Sequence, residues 1–344
     1  MLGNTTPTEF TTRAAIQSRV PAASSPAAPS VIVLLTSALA FTVIYAACFA
    51  AIKAGLTFAP PLMYGGLRAL IGGLALLALV AALRRPLLPP RRSWPGVLLL
   101  AAVSTTIGFG AMFLSPGRTG AGIASVLGNT QPLFAVVLAA IFLKERMTFP
   151  RLVALTLGTA GATLIAYPAL AGADAYGLSG AVLALAASAG TAAGSVILKR
   201  MQIKDETSPE PSRTRRGSGF GRALLVVAAW QLIIGSLPLL ALSGLTERGT
   251  PVIWSAEFIT LLLSLALVGT SFATALWYWL VQRVEVGRLS MFLFFVPVVG
   301  LGIAAFIVGE RVGPLEVLGA ALAVAGIGAT VWESARRGPS SRGA

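Results

Sequence analysis

Residues 132–146 read PLFAVVLAAIFLKER, and residues 297–311 read PVVGLGIAAFIVGER. Each stretch opens on a proline, continues almost wholly apolar and stops on Glu-Arg. Five of the 15 paired positions are identical, all at one offset of 165 residues. A phrase of helix length written twice at one offset marks an internal repeat, and the extent of that repeat decides the fold.

Working outward, the same offset sets Thr105 on Thr270, Gly122 on Gly287 and Gly161 on Gly326. An offset of 163 sets Gly72 on Gly235, within LIGGLALLAL and IIGSLPLLAL. The chain is 56% hydrophobic and 11% charged, with a mean hydropathy of +0.83, against about 25% charged residues in an ordinary soluble domain. Ten apolar runs have the length of about 20 residues that crosses a hydrocarbon core: 31–52, 62–83, 95–115, 120–143, 149–168, 176–198, 222–244, 257–281, 288–308 and 314–333. The repeat is thus about five runs long. Five is odd, so the second copy enters the membrane from the opposite face. The expectation is an all-α integral membrane protein, with ten transmembrane helices arranged as two inverted five-helix repeats around a central cavity. Residues 31–168 form the first repeat and 176–333 the second. Residues 1–30 and 334–344 read as cytoplasmic tails, the first of them disordered. The polar, Pro- and Gly-rich stretch 201–221 reads as a disordered cytoplasmic linker.

The net charge of +14 does not indicate a nucleic-acid partner, because the basic residues fall between apolar runs. With the N-terminus inside, 21 of the 26 Lys and Arg face the cytoplasm, the bias that orients membrane proteins. Both termini are therefore expected inside. Residues 1–30 show no short apolar core before a cleavage site, so the first run is expected to act as an uncleaved signal; an organelle transit peptide is the alternative. A single cysteine, Cys48, and the absence of histidine leave no intrachain disulfide and remove the commonest metal ligand and proton shuttle. No metal, cofactor or enzymatic nucleophile–base pair is expected. The expected partners are a small-molecule substrate, the lipid bilayer and, at most, a second copy in a homodimer.

IYAACFAAIKAGL, PPLMYGGLRALIGGLAL, NTQPLFAVVLAAIFLKER, WQLIIGSLPLLAL and VGERVGPLEVLGAALAVAGIGA, taken in this order, resemble the EamA-like family of the drug/metabolite transporter superfamily. The resemblance covers roughly residues 31–333. It implies ten helices in two inverted halves, a central cavity and export of amino acids, metabolites or drugs from bacteria. The sequence departs from the family at its first helix, where Tyr45, Ala46 and Cys48 stand in place of a Trp-Gly-x-Asn-Phe pattern.

Pro132 and Pro297 interrupt the fourth and ninth runs. Each lacks an N–H and strips the carbonyl four residues back, that of Gly128 or Leu293, of its helical partner, so each helix is expected to bend there. Matched interruptions in two halves point to a transporter's site. Around the first lie Asn129, Thr130 and Gln131; around the second lie Phe292, Phe294 and Phe295. One side offers hydrogen bonds and the other apolar surface, although both sets could equally serve packing. Arg68 is the one ionisable residue well inside a run, and it either snorkels outward, makes a structural bond or meets an anionic group of a substrate. Gln231 holds the equivalent place in the second half, beside Trp230, which reads as cavity or core. Glu145-Arg146 and Glu310-Arg311 close helix hairpins, as structural pairs or as a gate, with Thr148 expected to cap the helix that follows the first. No carboxylate or histidine lies at mid-depth, so a uniporter or exchanger is expected, or else coupling through Glu145 or Glu310.

The function expected from these observations is secondary export of small amphipathic metabolites, amino acids or related compounds above all, by alternating access in the bacterial inner membrane. A drug or nucleotide-sugar carrier of the same superfamily and a non-transporting membrane scaffold are the alternatives.

Overall fold

A computed structural model describes residues 30–115, 118, 127–128, 130–171, 178–206, 219–303 and 313–336. All regular structure among them is helical. We number the helices α1 (Val31–Gly55), α2 (Pro61–Ala82), α3 (Arg91–Leu114), α4 (Gln131–Leu143), α5 (Phe149–Ala171), α6 (Leu178–Glu206), α7 (Gly219–Thr246), α8 (Ala256–Val281), α9 (residues 286–303) and α10 (Pro314–Arg336). Six stretches, within α1, α2, α3, α6, α7 and α8, are long and apolar enough to cross a membrane, and shorter apolar helices lie in α4, α9 and α10.

Local chemistry sets most of the boundaries. Ser30 caps α1, its hydroxyl accepting the Val33 N–H, and Ser255 caps α8 by accepting that of Phe258. Proline sits in the first turn of α2 and α4, where its missing N–H costs nothing. The fourth run is not one bent helix. Thr130 forms a turn and α4 begins afresh at Gln131, with Pro132 in its first turn. Ahead of Pro297, α9 tightens into a 3-10 turn at Met291–Phe294 and resumes as an α-helix at Phe295. Both prolines restart a helix where a bend was expected, because a first turn is the position where proline is tolerated. The linker also departs from expectation: α6 continues through Glu206 and α7 opens at Gly219.

The helices pack in pairs: α2 on α7, α5 on α10, α4 on α9, α1 on α8 and α9, and α6 on α3 and α4. The α5–α10 pair shows why small residues recur. A Cβ added at Gly161 would lie 2.8 Å from the Ala323 amide, and one at Gly326 would lie 3.0 Å from the Ala154 carbonyl. The backbones touch directly, the contact that glycine permits between membrane helices.

Candidate functional site

Two helices carry a wide turn at mid-length: α3 becomes a π-helix at Ala101–Phe109 and α8 at Leu267–Phe272. Neither is announced by its own residues. A π-turn adds a residue per turn and is frequent at functional sites. Here the turns set Thr105 and Thr270 against α7 and α2. Gln231 Nε2 donates to Thr105 Oγ1 at 2.7 Å, and Arg68 Nε donates to Thr270 Oγ1 at 2.6 Å. The next hydroxyls behave alike: Thr106 donates to the Gly235 carbonyl at 2.9 Å and Ser271 to the Gly72 carbonyl at 2.8 Å. Neither glycine has room for a side chain, since a Cβ on Gly72 would lie 2.9 Å from Thr270 Cγ2 and one on Gly235 would meet Thr105.

Arg68 is 2% exposed. Its guanidinium does not snorkel. Nη2 donates to the Gly269 carbonyl at 3.1 Å, and the group lies 5.1 Å and 5.8 Å from the ring centroids of Phe109 and Phe113. Nη1 is buried without a partner. Gln231 is also buried, but its amide is bonded at both ends, because Tyr278 donates its hydroxyl to Oε1. Trp277 donates to Ser195 at 2.9 Å and packs on Phe41, ring centroids 4.6 Å apart. Trp277 and Tyr278 are therefore interior side chains and not part of an interfacial belt.

The proline restarts are held by hydroxyls. Ser188 on α6 donates to the carbonyls of Leu127 and Gly128 at 2.9 and 2.8 Å. Thr42 on α1 reaches the Phe292 carbonyl at 3.3 Å. The carbonyl of Gly128 thus faces protein. Thr130 turns its hydroxyl back onto Leu127 at 2.6 Å, and Gln131 is buried. Phe292 and Phe294 are core side chains, the latter filling the space over Gly158 of α5, while Phe295 is half-buried. Asn129, Glu310 and Arg311 lie outside the described residues.

Trp230 is half-buried and packs against the core. Its indole donates to the Leu87 carbonyl at 2.7 Å and its ring meets Trp94 edge-on, centroids 5.6 Å apart, so the 83–90 connection lies against this part of α7. Glu145 does not pair with Arg146. Its carboxylate accepts the N–H groups of Val286 and Gly287 at 2.9 and 3.0 Å, at the start of α9, and lies 3.7 Å from Arg151. Arg151 is 3% exposed and also pairs with Glu285. A carboxylate disfavoured at its own helix end is favoured at the start of another. The Thr148 hydroxyl has no partner, so the side-chain cap expected there is not made; its carbonyl takes only the first helical bond, from the Leu152 N–H. The sequence reading missed Glu247, whose carboxylate accepts the N–H groups of Leu62 and Met63 at 2.9 and 3.1 Å. The signal was available in Pro60-Pro61, a helix start with no side chain able to cap it.

The profile of the EamA-like transporter family matches residues 32–167 and 178–332. The chain belongs to this family. Within it, the chain is 31% identical over 299 residues to a protein of Salmonella typhimurium named "Probable amino-acid metabolite efflux pump", covering 84% of this chain and 92% of that one. It is 30% identical over 207 residues to a "Probable terminal-alkyne amino-acid exporter" of Streptantibioticus cattleyicolor, covering 60% and 63% of the two chains. One solved crystal structure superposes with a TM-score of 0.70 at 19% identity, covering 88% of this chain and 99% of that one, which fixes the fold alone. The EamA-like fold and its apolar helices make this a multi-span membrane protein.

Proposed function

We propose that this EamA-like protein is a secondary exporter of small amphipathic metabolites, amino acids or close relatives, working by alternating access in the bacterial inner membrane with both termini cytoplasmic. The observation that carries the reading is the double contact at mid-depth. Arg68–Thr270 and Gln231–Thr105 repeat one arrangement at offsets of 163 and 165 residues, and so do Ser271–Gly72 and Thr106–Gly235. Two copies of one contact, each joining a helix of the first half to a helix of the second, support ten helices built as inverted repeats. Rocking such halves exposes a midplane site to each face in turn. Amino-acid export, as in the names of the two relatives, suits a site with one fixed positive charge beside aromatic surface.

The reading is tested in cells expressing the protein and challenged with toxic amino-acid analogues and antibiotics. Resistance is expected to at least one amino-acid analogue, lost in Arg68→Gln at unchanged membrane abundance. A panel in which no analogue or drug accumulates less than in control cells overturns it.

A further inference from the structure

We propose that the central site takes monoanionic carboxylates and that the membrane potential drives their export, one negative charge per cycle, without a coupled ion. The inference rests on the exporter reading above and on the geometry of Arg68. A guanidinium has five N–H groups. Arg68 uses Nε on Thr270 and one Nη2 hydrogen on Gly269. The Cys48 thiol, a weak acceptor, also bonds the guanidinium, while the two Nη1 hydrogens are buried and unpartnered. Nη1 is thus the nitrogen left to donate charge-assisted hydrogen bonds to a carboxylate.

Charge bookkeeping points the same way. The groups recorded on the guanidinium are a hydroxyl, a thiol, a peptide carbonyl and two aromatic rings, none of them a carboxylate. Of the twelve Asp and Glu of the sequence, Glu9 lies in the N-terminal tail and the other eleven at or near the ends of apolar runs or between them. Glu145 and Glu247 are bonded to helix starts, and Glu285 to Arg151. A buried cation without a counter-charge is costly, and an arriving carboxylate neutralises it. A zwitterion would bring an ammonium for which the groups recorded on the guanidinium offer no carboxylate, so a monoanion is preferred over the zwitterionic amino acid of the same skeleton, which the site takes more weakly. With no histidine in the chain and no acid at mid-depth, the site has no usual side chain to carry a proton in exchange. None is needed, since an inside-negative potential expels anions with about 2.3 kcal/mol per charge at 100 mV, a roughly 50-fold concentration ratio.

The test uses the full chain in proteoliposomes loaded with 4-methyl-2-oxopentanoate, a monoanion, or with leucine, the zwitterion of the same carbon skeleton, under a valinomycin-set potassium potential. An inside-negative potential of 100 mV is expected to drive the oxo acid out toward a roughly 50-fold gradient, with a matching electrical current. Clamping the potential at zero should leave only downhill flux. Arg68→Lys should keep the potential dependence at a reduced rate, and Arg68→Gln should abolish it; should the glutamine variant fail to fold by thermal melting, the lysine variant alone decides. Leucine moving while the oxo acid does not, or oxo-acid flux indifferent to potential, overturns this inference and leaves the exporter reading standing. Movement of neither, with an uncharged or cationic solute moved instead, has the same meaning. Failure to move any solute overturns both.

Discussion

Gln231 stands in its half of the chain where Arg68 stands in the other, each giving a hydrogen bond to a threonine on a π-turn, Thr105 or Thr270. The scaffold is shared but the chemistry is not. The amide is satisfied at both ends by Thr105 and Tyr278, whereas the guanidinium keeps an unpartnered nitrogen. The shared contact is structural in both halves, and the unsaturated nitrogen is the group that the proposed function leaves for a substrate.

Thr270→Val should therefore cost more than Thr105→Val. The first leaves a buried charged donor without its acceptor, a loss of about 1.5–3 kcal/mol, and the second breaks a neutral bond worth about 0.5–1.5 kcal/mol. At tenfold per about 1.4 kcal/mol, transport by Thr270→Val is expected to fall by roughly tenfold or more, with Thr270→Ser restoring most of it. Equal initial rates in the two valine variants would show that the arginine bond carries no special weight.

Ser188→Ala removes the hydroxyl donor from the Gly128 carbonyl and one of three donors from that of Leu127, which keeps the hydroxyl and N–H of Thr130. Leaving buried polar groups unmade costs about 1–3 kcal/mol, so the midpoint of thermal unfolding in detergent should drop clearly. Thr42→Val is the counterpart on α9, where the bond to Phe292 is longer, at 3.3 Å, and the hydroxyl also serves Ala38 in its own helix. Its drop should be the smaller of the two.

These contacts also show how far the sequence could be read. Apolar runs gave the helices, since bilayer thickness imposes their length, and paired prolines marked where helices restart. Depth counting placed Arg68 well inside α2 but could not say which way its guanidinium turns, because its partners lie 201 and 202 residues on. The same counting placed Trp230 in the interior, and its ring does pack against the core, but nothing local announces that the loop carrying Leu87 meets its indole. The π-turns were invisible for a related reason: a wide turn is held by hydroxyl and carbonyl partners on other helices, not by a propensity of its own residues.

Glu247→Ala tests a contact of this long-range kind. Pro60 cannot cap α2, and the two N–H groups of Leu62 and Met63 depend on a carboxylate 184 and 185 residues away, itself held by Ser243 at 2.6 Å. Loss of a helix cap costs about 0.5–2 kcal/mol. The variant should melt at lower temperature, and Ser243→Ala should lower it by a smaller step. An unchanged melting curve for Glu247→Ala would mean that water caps α2 equally well.

The Glu-Arg ending that first exposed the repeat gives the last comparison, because its two residues do different work. Glu145 holds two N–H groups of α9 and faces Arg151, which is 3% exposed and shared with Glu285. Arg146 has an exposed side chain, and it is its backbone carbonyl that accepts a bond from Arg151, at 2.9 Å. Glu145→Ala should thus leave two amides and a buried cation poorly paired, costing about 1–3 kcal/mol and loosening α9 from the α4–α5 hairpin. Arg146→Ala keeps the carbonyl and should stay within about 0.5 kcal/mol. Glu145→Gln sharpens the contrast, since its NH2 would face amide donors where an acceptor is required, so it should recover little of the loss. Hydrogen exchange at residues 286–290 reads the effect directly: faster exchange is expected in both Glu145 variants and wild-type rates in Arg146→Ala, and a reversed order would return the role to the neighbouring pair.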